Sequence, residues 1–236
     1  MEIEKQKEAR MNLDDWKIEN LFLDQDSRVY RWLSKFTHVW EAIPHIEEFI
    51  MYEINNLDMQ NYVEFSEGVY IHKSVKLAEN IVIEGPTIIA ENCEIRPSAY
   101  IRGKVYVAEN SVLGNSCEFK NAILMNNVQV PHFSYVGDSI LGEYTHFGAS
   151  AIASNFRQDK QKIKIKLSSQ EIIQTELRKM GVVSGAYVEV GSGSILNPGT
   201  LIGKNSRVYP LITTRYAIAA NTILKSSGEV VELRAN

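Results

Sequence analysis

The sequence predicts an all-β solenoid, a parallel β-helix with a short helical segment ahead of it, and three features of the chain predict it. From Ile71 to Met125 every sixth residue is apolar: Ile71, Leu77, Ile83, Ile89, Ile95, Ile101, Val107, Leu113, Phe119 and Met125. The fourth residue after each is mostly small or aliphatic (Val75, Ile81, Thr87, Cys93, Ala99, Val105, Ser111, Cys117, Ile123), so each unit turns two side chains inward. A period of six fits neither a lone helix nor an ordinary strand, but it fits a coil in which each unit supplies one strand and one corner. The pattern then resumes at Ser184, Val190, Leu196, Ile202 and Val208, with Gly191 and Gly203 placed for tight corners where positive φ is cheap for glycine.

The elements follow in order. Residues 1–65 lack the sixfold pattern and read as two or three short helices, with Ser27 as an N-cap before RVYRWLSKF and helical spacing in HVWEAIPHIEEFIMYEI. This segment holds Trp16, Trp32 and Trp40 and is expected to cap the open end of the solenoid, with partner binding as the alternative. The β-helix occupies 66–225. Within it Leu141, Phe147 and Ala153 keep the spacing in a shifted phase, which predicts an insertion bulging out near 131–135. Residues 167–181 interrupt the pattern as a surface excursion, where Ser168 and Glu171 match a capping box, EIIQTELRKM suits a helix and Gly181 could end it. AIAANTILKSSGEVVELRAN reads as a hairpin turning at Ser227 and Gly228, with 226–236 as the C-terminal tail.

The bulk composition sets limits. A chain of 236 residues with 44% hydrophobic and 23% charged residues can bury a core, and its net charge of −4 argues against a nucleic-acid partner. No apolar run is long enough to span a membrane, and the charged start MEIEKQKEAR lacks a signal-peptide core, so the expectation is a cytoplasmic protein. Cys93 and Cys117 fall on inward positions four repeats apart and read as buried free thiols. No His, Cys and carboxylate cluster has ligand spacing, so no metal is assigned.

Three residues stand out chemically. Arg102 and Lys120 are three repeats apart, which is one full coil of a triangular helix, so they stack at one corner as two cations that call for an anion between them. A sugar phosphate would meet that need. His132, in PHFSYVGD, is the histidine that falls within the expected insertion. His38, His45 and His72 read as surface or capping residues, and KQKIKIK (160–166) as a strand with one wet face.

PHFSYVGDSILG, preceded by GNSCEFKNAIL and followed by HFGASAIASN, resembles the acetyltransferase half of the bifunctional UDP-N-acetylglucosamine pyrophosphorylase/glucosamine-1-phosphate N-acetyltransferase family. ELRKMGVVSGAYVEVGSGSILNPGTLIGKNSRVYP is similar to the archaeal-type sugar-phosphate nucleotidyltransferase/acetyltransferase version. The resemblance covers about 69–225 and implies a left-handed coil, a homotrimer with sites between subunits, and acetyl-CoA as donor. It implies His132 as catalytic base, Arg102 and Lys120 on the phosphate of an amino-sugar 1-phosphate, Tyr135 and Asn155 on the sugar, and Lys164 as a match for a family lysine. His146, Ser150, Phe156 and Gln161 depart from the family pattern. The nucleotidyltransferase half is not represented in these residues, and no glycine-rich loop with a signature lysine occurs. The alternative readings are a non-catalytic subunit that binds a sugar phosphate or nucleotide sugar, and a partner of a separate nucleotidyltransferase.

Overall fold

The computed structural model describes residues 12–233, so the N-terminal stretch 1–11 and the last three residues lie outside the described part. From Val69 onward the chain winds as the parallel β-solenoid expected from the sequence, with strands of successive coils in parallel register. Val69 pairs with Thr87 and Thr87 with Val105, eighteen residues per coil. The interior is the predicted apolar stack, including Ile71, Ile89, Ile95, Ile101, Val107, Leu113 and Phe119, all at most 2% exposed. Leu77 departs from the expectation at 38% exposed, because its strand Lys76–Leu77 ends its sheet and has no coil below it.

The phase shift has a different origin from the one expected. Glu118 and Phe119 pair with Tyr100 and Ile101, eighteen residues back, whereas Ala122 and Leu124 pair with Val105 and Val107, seventeen back. One residue has been lost from the corner between Lys120 and Ala122 and a second from the corner between Gly137 and Ser139, since Ala122 in turn pairs with Ser139, seventeen on, and residues 131–135 form no bulge. They run through an ordinary corner in which Phe133 takes the left-handed conformation (φ 50°), as Ser98, Ser116 and Ser150 do in neighbouring coils. The loss turns Ile123 and Met125 outward, while Ala122 and Leu124 take the interior positions. The corner is so short that single strands, Glu118–Leu124 and Tyr135–Leu141, run through it and join two faces of the coil into one 13-stranded sheet.

The helical segment covers a side of the coil rather than its open end. Ser27 caps Arg28–Leu33 as predicted, accepting from the Tyr30 amide at 3.1 Å. Trp16, Leu21, Val39, Trp40, Ile43, Ile46 and Ile50 pack with the outward-facing Ile88, Ile123, Ile140, Val183 and Leu201 of five coils. Uncovered, that stripe of aliphatic side chains would be a large exposed apolar patch, and its burial fixes the segment laterally. Glu143, 2% exposed, fastens the junction by accepting the Leu23 and Asp24 amides at 3.0 Å each.

The excursion leaves the coil after Asn155 and returns at Gly181. It contains no helix. Lys164–Lys166 and Ile172–Gln174 form an antiparallel hairpin, and Ser168 accepts the Glu171 amide at 2.9 Å to close its turn. Ile163, Ile165 and Leu167 face inward and are at most 1% exposed, so the alternating lysines lie on the wet side as predicted. The closing hairpin pairs Thr222–Leu224 with Val230–Glu232 around Gly228 at φ 83°.

Candidate functional site

The seventeen-residue coils bring Asn121, Asp138 and Asn155 onto one corner. Asn121 and Asp138 both adopt φ 48°, a conformation that Asn and Asp tolerate better than other side chains. The Asn121 Nδ2 donates to Asp138 Oδ1 at 2.9 Å, and the Asn155 Nδ2 donates to Asp138 Oδ2. Asp138 is 5% exposed, and its backbone carbonyl accepts the Gly181 amide at 2.8 Å, closing the base of the excursion.

Four of the six predicted residues gather beside this ladder. Arg102 and Lys120 are neighbours on adjacent strands, as the register of Tyr100 with Glu118 requires. Lys120 Nζ lies 4.0 Å from Asp138 Oδ2, and Asn155 Nδ2 also donates to the Tyr135 hydroxyl at 3.0 Å. Gly137 forms the floor: a Cβ there would meet the Tyr135 ring and the Asn155 amide nitrogen at 2.7 Å. Arg102 is held by Glu118 at 2.7 Å and lies over the Tyr100 ring at 5.8 Å, while Tyr100 donates to Glu84 at 2.8 Å.

The electrostatics favour an anion. Burial pushes the Lys120 ammonium below the ordinary lysine range, and the nearby Lys179 and Arg102 cations add to this against the pull of Asp138. The Tyr135 phenol is pushed up, chiefly by burial and then by the Asp138 and Glu118 carboxylates. The hydrogen bond to Glu118 raises the Arg102 guanidinium further.

Two predicted residues lie elsewhere. His132 ends the strand Gln129–His132 on the adjoining sheet, opposite Asn115 and one corner before Tyr135. It is exposed, and its ring makes no hydrogen bond to another described residue. Lys164 sits on the excursion hairpin, whose backbone passes close to Gly199.

The family described as GMPPB C-terminal domain matches residues 83–168. The bifunctional protein GlmU of Methanocaldococcus jannaschii is 34% identical over 174 residues, 66% of this chain and 42% of that protein. The bifunctional sugar-1-phosphate nucleotidylyltransferase/acetyltransferase of Sulfurisphaera tokodaii is 31% identical over 176 residues, 67% of this chain and 42% of that one. This chain is homologous to GlmU-type proteins. It spans less than half the length of these GlmU-type relatives. Among solved structures, AntD, an N-acyltransferase from Bacillus cereus in complex with dTDP and coenzyme A, is 16% identical, covers 74% of this chain and 90% of that one, and has a TM-score of 0.35.

Where the sequence departs from the GlmU-type pattern, the structure gives each residue a local setting. His146 pairs with Glu189 of the next coil at 2.8 Å. Ser150 adopts φ 61° at a corner where glycine would carry no strain. Phe156 is 44% exposed at the start of the excursion. Sequence reading missed Asp138 and Lys179. The signal for Asp138 was its spacing of seventeen from both Asn121 and Asn155, hidden by the assumption of a constant eighteen. Among the described residues no group of three or more His, Cys, Asp or Glu side chains could hold a metal ion, and no helix is long and apolar enough to cross a membrane.

Proposed function

We propose that this protein transfers an acetyl group from acetyl-CoA to the amine of an amino-sugar 1-phosphate. The observation that carries this reading is the adjacency of Arg102 and Lys120 on consecutive coils beside the Tyr135 and Asn155 pair. Homology to bifunctional GlmU-type proteins supports it. Arg102 and Lys120 each have a carboxylate beside them in the free protein, Glu118 and Asp138. A phosphate dianion between the two cations would engage both, the guanidinium gripping two oxygens and the ammonium supplying a compact charge. Tyr135 and Asn155 supply hydrogen-bonding groups for the sugar, and the lysines of 160–166, Lys164 among them, supply positive charge for the phosphates of coenzyme A.

In the proposed reaction the unprotonated amine attacks the thioester carbonyl carbon, the new C–N bond forms as the C–S bond breaks, and coenzyme A departs as thiolate. Neutral His132 takes the proton from the attacking nitrogen and returns it to the sulfur. Because His132 lies on the sheet adjoining the cationic pair, the reading includes a second copy of the chain against this face to close the crevice, as in a homotrimer. The test is coenzyme A release, measured as free thiol, with acetyl-CoA against a panel of amino-sugar phosphates and nucleotide sugars. Turnover with glucosamine 1-phosphate or a close analogue is the expected result, and no thiol release with any of them overturns the reading. A binding subunit without turnover is the second reading, favoured by the engagement of His146 with Glu189; it predicts sugar-phosphate binding with the thioester left intact.

A further inference from the structure

We propose that Asp138 is a positioning residue of the acceptor site, orienting the Asn155 amide and holding the Lys120 ammonium without itself touching substrate. The inference rests on the acceptor site proposed above. The side chain of Asp138 is 8% exposed, too buried to meet a ligand directly. Its ionised carboxylate can only accept hydrogen bonds. Both amides facing it must therefore present nitrogen, which they do from the coil below, through Asn121, and from the coil above, through Asn155.

The consequence for Asn155 is specific. Its two N–H groups are spent on Asp138 and on the Tyr135 hydroxyl, so the amide cannot flip and its carbonyl oxygen is the group left to the pocket. A sugar hydroxyl or an attacking amine would find a fixed acceptor there. Tyr135, having accepted from Asn155, keeps its own O–H to donate. Asp138 thus sets the donor and acceptor pattern of two groups that reach the ligand. It also stands 4.0 Å from Lys120, offsetting the Arg102 and Lys179 charges that press on that ammonium.

Asp138→Asn keeps the shape and removes the obligation, since either end of an asparagine amide can face Asn155. The expected result is a KM for the amino-sugar phosphate raised at least about tenfold, with kcat within a few-fold and the KM for acetyl-CoA unchanged. The alkaline limb of the acceptor KM should also move to lower pH, as Lys120 loses its anion while Arg102 and Lys179 remain and Glu118 and Tyr135 are unaltered. At pH below that limb, where Lys120 stays protonated, combining the change with Asn155→Ala should give a double variant little worse than Asn155→Ala alone. Additive effects, or an unchanged acceptor KM and pH profile, overturn the proposal. If Asp138→Asn does not fold, Asn121→Ala removes one donor to the same carboxylate and should raise the acceptor KM several-fold. A readout independent of turnover separates this proposal from the acceptor assignment: acetylation of Lys120 by acetic anhydride across pH, followed by mass spectrometry. Its midpoint should fall in Asp138→Asn whether or not the protein transfers acetyl groups, and an unmoved midpoint counts against the proposal alone.

Discussion

The Asn121 amide donates at 2.9 Å to the carboxylate of Asp138, seventeen residues later and one coil above. Asn121 also donates to the Ile43 carbonyl at 3.3 Å, so one side chain joins the lateral helical segment to the polar corner. The shortened corner therefore links the packing of the helices to the geometry of the candidate site.

Gly137 tests how tightly that geometry is held. A methyl group there would collide with the Tyr135 ring and the Asn155 amide, while the backbone does not adopt a glycine-only conformation. Gly137→Ala should raise the acceptor KM about tenfold or more by displacing both groups, with overpacking costing roughly 1–3 kcal/mol. Steady-state kinetics beside a urea titration separates the two effects, and an unchanged KM would mean that neither group touches the acceptor.

His132→Ala should lower kcat by about 10² to 10⁴-fold, the usual contribution of a general base. Stability should change by less than about 0.5 kcal/mol, because the ring is exposed and makes no hydrogen bond to another described residue. Thiol release and thermal melting on the same preparation provide the check, and full turnover in a folded variant would remove His132 from the chemistry.

Arg102→Met should weaken acceptor binding by about 10- to 100-fold, as expected for a lost charged hydrogen bond. Its pair with Glu118 is solvent-exposed and contributes little to folding, so the melting temperature should hardly move. Affinity of the unmodified protein for the phosphate should fall with added salt, and less steeply in Arg102→Met. Calorimetric titrations at two ionic strengths measure both effects.

The fold was legible because a six-residue period survives wherever strand and corner keep constant length. It misled at Ile123 and Met125, where the lateral helices demand apolar residues on the outside too, so the run continued unbroken past the lost residue. Single-residue losses at 121 and at 138 shift the later apolar residues by two, the same phase that an insertion of four near 131–135 would give, and only strand register tells them apart. Residues 172–174 form a strand because Lys164–Lys166 offers a partner, which outweighs the local helical signal of EIIQTELRKM. In the site, Arg102 and Lys120 were readable because their spacing precedes the slip. The ladder through Asp138 was not, since it exists only after it.

The buried interior should weaken in alkali. Burial pushes the Cys93 thiol up from 9.0 to about 12, and the Tyr62 phenol from 10.0 to about 12. Both acids ionise more readily in the unfolded chain than in the folded one, so their contribution is intact below about pH 9 and falls as pH rises toward 12. Urea midpoints should drop across that window. Cys93→Ala should flatten the part of the decline that begins near pH 9, and an unchanged slope in that variant would mean that the thiol ionises equally in both states.

Glu143 offers the sharpest test of how the helical segment is attached. Its Oε1 accepts two backbone amides, from Leu23 and Asp24, and the neighbouring Ala186 amide donates to the Leu21 carbonyl at 2.8 Å. Its Oε2 is buried with no hydrogen-bond partner among the described residues, a desolvation cost that the two amides must offset. Glu143→Ala strands both donors and should cost about 2–4 kcal/mol. Glu143→Gln keeps a carbonyl acceptor and should cost less than half of that. Chemical denaturation measures the difference, and limited proteolysis should cut near residues 22–27 first in Glu143→Ala. If the two variants proved equally stable, the junction would depend on the apolar stripe of Ile88, Ile123, Ile140, Val183 and Leu201 alone.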